Sequence, residues 1–218
     1  MPKIIKDNSL TIVLMLMFAA SIVGQWLSGW AVENEELTSH GGEAISRIAY
    51  LRDPAFISSV FENWESEFLQ MSMYVVLTGF LFQRGSAESA DPDDPAREGD
   101  ELSDLKPDSP AILRAGAAAR WLYGHSLGIT LFLLFMISFV LHWVHSAKAA
   151  AAEAADHGER GLGVLAYLGD PQLWFESFQN WQSEFLSTAV LVVLSIFLRQ
   201  KGSPESKPLT APHAQTGQ

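Results

Sequence analysis

The amino-acid sequence predicts an all-α integral membrane fold with four transmembrane helices, arranged as two tandem parallel helical hairpins. Three observations lead to this class: an internal repeat, long uncharged apolar segments, and basic residues gathered at one end of those segments. Residues 8–89 align without a gap to residues 125–206 at an offset of about 117, and about 34 of the 82 aligned pairs are identical. Because a repeat reuses one structural unit, each copy predicts one hairpin.

Four apolar segments provide the predicted spans. The two long ones, residues 10–30 and 127–144, carry no charge. A helix of about 18 such residues crosses a hydrocarbon core about 30 Å thick, because it rises about 1.5 Å per residue. The two shorter ones, residues 68–82 and 185–198, are also free of charge, and they reach spanning length when the preceding turn is counted as interface.

The first apolar segment follows a basic start, which is also typical of a cleaved signal peptide. Its length of about twenty residues exceeds the roughly 7–15 residues of a signal's apolar region. Its copy lies in the middle of the chain, where a signal cannot stand. The sequence therefore predicts a retained anchor.

The orientation of the spans follows from their basic flanks. Lys and Arg are retained on the cytoplasmic side, so the N-terminus, the central linker and the C-terminus are predicted to be cytoplasmic. Two hairpins in tandem then share one orientation, which places their pseudo-twofold axis along the membrane normal. The residues that flank this side are Lys3, Lys6, Arg84, Arg120, Arg199 and Lys201.

Both copies share the same helix boundaries. His40-Gly41 and His157-Gly158 predict helix ends, because Gly tolerates the left-handed conformation and His can meet the last carbonyls. Asp53-Pro54 and Asp170-Pro171 predict helix starts, with Asp as the N-cap and Pro in the first turn.

Four segments make up the predicted organisation. Nine acidic residues and almost no apolar ones lie between residues 85 and 108, and such a stretch buries too little surface to offset its ordering entropy. The segments are a first transmembrane hairpin at 1–84, an acidic disordered cytoplasmic linker at 85–111, a second transmembrane hairpin at 112–201, and a disordered cytoplasmic tail at 202–218.

Composition excludes several classes of function. The chain has no Cys, so it has neither a disulfide framework nor a thiolate site. Its net charge of −11 argues against nucleic acid as a partner. No nucleophile elbow, phosphate-binding loop or zinc spacing is present. We therefore expect neither an enzyme nor a bound cofactor.

The repeated motif Asn-Trp-(Glu/Gln)-Ser-Glu-Phe supplies the candidate ligand-binding residues Asn63, Glu67, Asn180 and Glu184. The i, i+4 spacing puts each Asn and Glu on one helix face. The two Glu are expected roughly 25 Å from the cytoplasmic boundary, where a carboxylate is costly unless it faces a bundle interior or water. A shared outer vestibule is one interpretation. Helix packing by the polar groups, with Trp anchors at the interface, is the other.

Two histidines are weaker candidates for a metal site. His142 and His145 are spaced i, i+3 near the outer end of the third predicted span, and His side chains at helical spacing can bind metal. The first copy has Gln25 and Ser28 at the matching positions. A wet interfacial cluster is therefore the favoured interpretation, and no metal is predicted.

Residues 180–186, together with residues 199–206 behind them, resemble a family of small bacterial membrane proteins catalogued only as a domain of unknown function. The resemblance extends over both repeats, including the His-Gly and Asp-Pro turns. It implies a multi-pass protein of the bacterial inner membrane. It implies no activity, substrate or cofactor.

Two functional hypotheses follow. The first is a binding or assembly component of the cell envelope, whose partners are the lipid bilayer and either a second copy or another membrane protein. The alternative is a small transporter or channel subunit for a cation or polar solute, because parallel repeats recur in such proteins.

Overall fold

The computed structural model describes residues 3–97 and 99–217, with the side chain of Asp104 left out. Met1, Pro2, Glu98 and Gln218 lie outside the described residues, although the predicted segments include them. In the described part the chain forms helices and no strand. The eight α-helices are α1 Lys3–Asp7, α2 Ser9–Ser39, α3 Arg47–Tyr50, α4 Pro54–Leu77, α5 Ala117–Gly124, α6 Ser126–Asp156, α7 Val164–Tyr167 and α8 Pro171–Phe197. Short 3-10 helices occupy Leu102–Asp104 and Ala111–Arg114.

The all-helical class is confirmed, and two helices are long and apolar enough to cross a membrane. These are α2 and α6, each of 31 residues. This statement rests on the length and composition of the helices alone. The helices α4 and α8 do not qualify. Three carboxylates lie within α4, whereas α8 has only two and is not apolar enough over a spanning length. The finer prediction of four spans is taken up below as a proposal.

The predicted His-Gly helix ends and Asp-Pro helix starts are confirmed. Gly41 and Gly158 have positive φ angles of 79° and 74°, a conformation that glycine adopts without a steric penalty. At the next helix starts, the carboxylate of Asp53 accepts a hydrogen bond from the Ala55 N–H at 2.8 Å, and that of Asp170 accepts one from the Gln172 N–H at 2.8 Å. Each cap satisfies an N–H that the helix itself leaves unpaired.

The chain divides into two compact units. One contains Met1–Val60 and Leu141–Leu168, and the other contains Phe61–Val140 and Gly169–Gln218.

In the first unit, a hydrogen bond from an indole group connects each long helix to the short helix that follows it, α2 to α3 and α6 to α7. The Trp26 N–H donates to the Arg47 carbonyl, and the Trp143 N–H donates to the Val164 carbonyl, both at 2.8 Å. Tyr50, only 6% exposed, packs so closely on Gly29 that a Cβ there would meet its hydroxyl at 2.6 Å. A glycine at this point therefore permits the close approach.

In the second unit, described residues between α4 and α5 and after α8 make hydrogen bonds to distant parts of the chain; the predicted disorder of both segments stays a prediction. The Ser86 and Ser195 hydroxyls lie 2.9 Å apart, and the Gly217 N–H donates to the Ser86 carbonyl at 2.9 Å. These hydrogen bonds join residues far apart in the sequence, which local composition does not reveal. The limits of the four predicted segments stay predictions.

The helix α4 ends earlier than the predicted span at 68–82. It stops at Leu77, and residues 78–80 form a turn. Gly79 lies just past this end, and its low helix propensity favours the stop. In the second half, where Ile196 holds the matching position, α8 continues to Phe197.

Candidate functional site

The predicted site residues lie on α4 and α8 with unequal surroundings. Asn63 and Glu67 are exposed on α4, whereas Asn180 and Glu184 are half-buried on α8. The negative charge of Glu67 disfavours the charge of Glu184. The two carboxylates thus interact electrostatically, and the ligand-binding role of all four residues stays a prediction.

Asn180 takes part in a contact between the two helices. Its amide donates to a carboxylate oxygen of Glu62 at 2.5 Å and to the carbonyl of Glu176 at 3.1 Å. The first bond joins α8 to α4 through an ionisable acceptor, which makes it one of the stronger side-chain hydrogen bonds. For this residue, the contacts favour the packing interpretation of the motif.

A residue absent from the predicted set lies at the centre of the same contact. Glu65 is fully buried, with 0% of its surface exposed, and its carboxylate accepts a hydrogen bond from the Trp181 indole N–H at 3.0 Å. The two copies differ at this position, since the counterpart of Glu65 in the second copy is Gln182. The sequence feature that points to Glu65 is the indole of Trp181, since a buried indole N–H requires a hydrogen-bond acceptor.

Aromatic rings surround this buried carboxylate contact. The Trp181 ring packs edge-on against Phe178 at 5.3 Å between centroids and against Phe135 of α6 at 6.2 Å. About two helical turns earlier on α8, Trp174 packs against Phe139 at 6.0 Å. Edge-on and tilted ring pairs are favourable arrangements. They fix the indole in the position from which it donates to Glu65.

The two candidate histidines belong to the first unit. His142 is fully buried, and His145 is half-buried. Within the described part of the chain, the Nδ1 atom of His145 is buried without a hydrogen-bond partner. Their role as metal ligands stays a prediction.

One comparison with known proteins identifies the family. A family model described as "Domain of unknown function (DUF6766)" matches residues 1–218. The chain belongs to this family. No curated protein and no solved structure matches it. Membership in DUF6766 confirms the resemblance seen in the sequence, whereas a bacterial origin stays a prediction.

This DUF6766 chain also contains a buried cation that sequence reasoning missed. Lys207 is 1% exposed, and its ammonium group donates to the carbonyl of Gly85 at 2.5 Å. Further hydrogen bonds go to three carbonyls of the tail itself, those of Pro212, His213 and Gln215, at 3.3, 3.0 and 2.9 Å. Four acceptors around one ammonium offset much of the cost of its burial.

A carboxylate pair lies in the same unit. Glu88 accepts a hydrogen bond from the Tyr74 hydroxyl at 3.1 Å. Burial raises the pKa of Glu88, and the neighbouring charge of Glu205 raises that pKa further, while the Tyr74 hydrogen bond opposes both. The two Glu are counterparts at the 117-residue offset, so the equivalent loops of the two halves meet here.

Proposed function

We propose that the chain is an integral membrane protein that crosses the bilayer four times, through α2, α4, α6 and α8, as a four-helix bundle. The apolar surface of α2 supports this. None of its residues is buried, and Leu10, Leu16 and Met17 are 72%, 65% and 62% exposed. Water-soluble proteins rarely leave so large an apolar patch uncovered. A helix with such a surface is suited to the hydrocarbon core of a lipid bilayer.

The inclusion of α4 and α8 among the spans is supported by their polar contacts. Carboxylates within a spanning helix are tolerated where they face another helix and are hydrogen-bonded. Glu65 and Glu62 meet this condition through Trp181 and Asn180. Two of the three charges that keep α4 from qualifying by composition are thus the groups that would join it to α8 in a membrane.

An internal duplication is part of the proposal. At an offset of 117, the bounds of α2 coincide with those of α6, and the bounds of α3 coincide with those of α7. The indole bonds Trp26–Arg47 and Trp143–Val164 also coincide. These correspondences support two tandem hairpins of one design. The basic flanks of the proposed spans support cytoplasmic termini, and the proposal takes the membrane to be the inner membrane of a bacterium.

The proposed role is binding or assembly in the cell envelope. The single observation that carries it is the contrast among the carboxylates of α4. Glu65 is enclosed at the contact with Trp181, whereas Glu67 is exposed and shares its neighbourhood with Glu184. Two repelling carboxylates are stabilised by a positive charge. The fitting partner is therefore a cation, a cationic polar ligand, or the basic group of another membrane helix or a second copy. No catalytic activity belongs to this role.

Native mass spectrometry of protein released gently from its own membrane tests the role. We expect a bound metal, small ligand or partner in the spectrum of the wild type, and its loss from the Glu67→Gln/Glu184→Gln double variant. The control is Asp100→Asn/Glu101→Gln, which removes two charges from the exposed linker. A wild-type spectrum with lipid adducts alone, or one unchanged in the Glu67/Glu184 variant, would leave the motif with its packing role only.

A transporter or channel subunit is the second candidate, and the same carboxylates favour it. Ionisable groups within spanning helices often mark ion or proton pathways. Proteoliposomes loaded with a pH-sensitive dye would report proton or cation flux. Flux above that of empty vesicles, abolished in the Glu67→Gln/Glu184→Gln variant, would favour transport over binding. Flux equal to that of empty vesicles would count against it.

A further inference from the structure

Directly before α6, the chain forms a small structure whose exposed surface is apolar and aromatic. We call residues 111–125 the interfacial segment; it consists of the 3-10 turn Ala111–Arg114, the helix α5, and His125. The turn packs against α5. At His125, which is not helical, the chain leaves α5 and enters α6. The segment is thus held at one end of a helix that is apolar enough to cross a membrane.

The exposed side chains of this segment are of the kind found at a membrane surface. Trp121, Leu122 and Tyr123 are 62%, 52% and 42% exposed. Trp and Tyr favour the boundary between headgroups and acyl chains, where the ring is apolar and its polar atom is hydrated. The Trp121 ring is also oriented, because it stacks on the His125 ring at 4.8 Å with 25° between their planes.

The charge of the segment points to the chemistry of its partner. The chain carries a net charge of −11, yet residues 109–152 contain no Asp or Glu. Arg114 holds the turn together by donating to the carbonyls of Ser109 and Lys106 at 3.1 and 2.8 Å. Arg120 makes no ion pair with any described carboxylate. It is two positions from Leu122, which on a helix places it on the opposite face.

We propose that the interfacial segment lies in the headgroup region of the membrane that α6 crosses and binds anionic phospholipid there. On α5 the aliphatic Leu122 lies opposite the basic Arg120, and Trp121 and Tyr123 lie between them on the two sides. An apolar side chain opposite a basic one, flanked by Trp and Tyr, suits a helix that lies in the plane of the interface. A basic residue near an anionic leaflet gains further attraction. Continuity with the apolar start of α6, where Leu127 is 61% exposed, selects lipid rather than a protein partner. The inference rests on the proposed membrane insertion of α6.

Spin labels on single cysteines test this inference in the full-length protein, because the natural chain has no Cys. The variants are Leu122→Cys in the segment, Leu133→Cys in α6, and Ser103→Cys in the exposed linker as the control. Each protein is reconstituted into vesicles of phosphatidylcholine with phosphatidylglycerol. The measurement is the accessibility of the label to oxygen relative to that to a water-soluble nickel chelate.

The expected result is a deep label at residue 133, a label at headgroup depth at residue 122, and a fully water-exposed label at residue 103. Replacing phosphatidylglycerol by phosphatidylcholine, or adding Arg120→Gln, should shift the residue-122 label toward water. A label at residue 122 as hydrated as that at residue 103, with residue 133 still deep, overturns the inference and leaves the proposed span intact. A water-exposed label at residue 133 overturns the proposed span itself.

Depth that is equal with and without anionic lipid, and unchanged by Arg120→Gln, overturns the anionic preference specifically. The variant Arg120→Lys keeps the charge and should retain the depth of the residue-122 label. Rescue by Lys separates attraction to headgroups from a structural role of the guanidinium group.

Discussion

At the scale of single residues, the α4–α8 contact depends on a buried carboxylate and one indole. Glu65 would be costly to bury alone, because an unpaired charge loses its hydration. Its hydrogen bond from Trp181 offsets part of that cost. The bond also fixes the register of the two helices, since the donor reaches the acceptor at one relative position.

A double-mutant cycle measures this bond. Trp181→Phe keeps most of the aromatic packing and removes the donor, so we expect it to lower the free energy of unfolding in detergent by about 1–3 kcal/mol. Glu65→Gln should partly restore stability in the Trp181→Phe background, because a neutral amide is cheaper to leave unpaired than a carboxylate. A coupling energy near zero between the two substitutions would show that the indole and the carboxylate act independently.

The candidate site could be predicted from sequence only in part, for a reason visible at residue scale. The neighbourhood of Glu67 and Glu184 was accessible because both copies retain the same Glu at one helical spacing. Glu65 was not, because its position differs between the copies and its indole donor lies 116 residues away. Comparison between the repeats identifies residues that both copies share. It cannot identify the Glu65–Trp181 contact, because only one copy has a carboxylate at that position.

At the scale of elements, local signals decide the helix ends, whereas the contacts of the tail depend on residues far away in the sequence. The Asp-Pro starts and His-Gly stops act within a few residues, so the sequence predicts them well. One contact of the tail joins Lys207 to the Gly85 carbonyl, 122 residues apart. Composition identifies such a polar stretch as disordered because it contains little apolar surface, whereas a buried ammonium with four carbonyl acceptors would supply order by another route.

Replacing Lys207 tests whether its ammonium group stabilises the conformation of the tail. In Lys207→Met the four carbonyls lose a charged donor, and hydrogen bonds to charged groups contribute roughly 1.5–3 kcal/mol each. We expect faster amide hydrogen exchange and earlier proteinase K cleavage in residues 207–217, with the long helices unchanged. Lys201→Met is the matched control, because Lys201 is exposed. Equal protection of the tail in both variants would contradict the role given to Lys207.

At the scale of the whole molecule, the number of spans determines on which side of the membrane each connection lies. Composition supports α2 and α6 as spans, whereas the polar contacts of α4 and α8 support four. With a cytoplasmic N-terminus, four spans place the linker inside and the connection between α6 and α8 outside. With α2 and α6 as the two spans, the linker would lie outside and the connection between α6 and α8 would lie inside. The C-terminal tail is cytoplasmic in both topologies.

Single cysteines distinguish these topologies cleanly, since the natural chain has none. Ser103→Cys reports on the linker and Glu159→Cys on the connection after α6; both positions are exposed. For the protein expressed in a bacterial host, we expect a membrane-impermeant maleimide to label residue 159 in intact spheroplasts and residue 103 only after lysis. The reverse pattern would reduce the spans to α2 and α6, and would place Glu67 and Glu184 in water. In that environment two exposed carboxylates have no special affinity for a cation, so the proposed binding role would fail together with the topology.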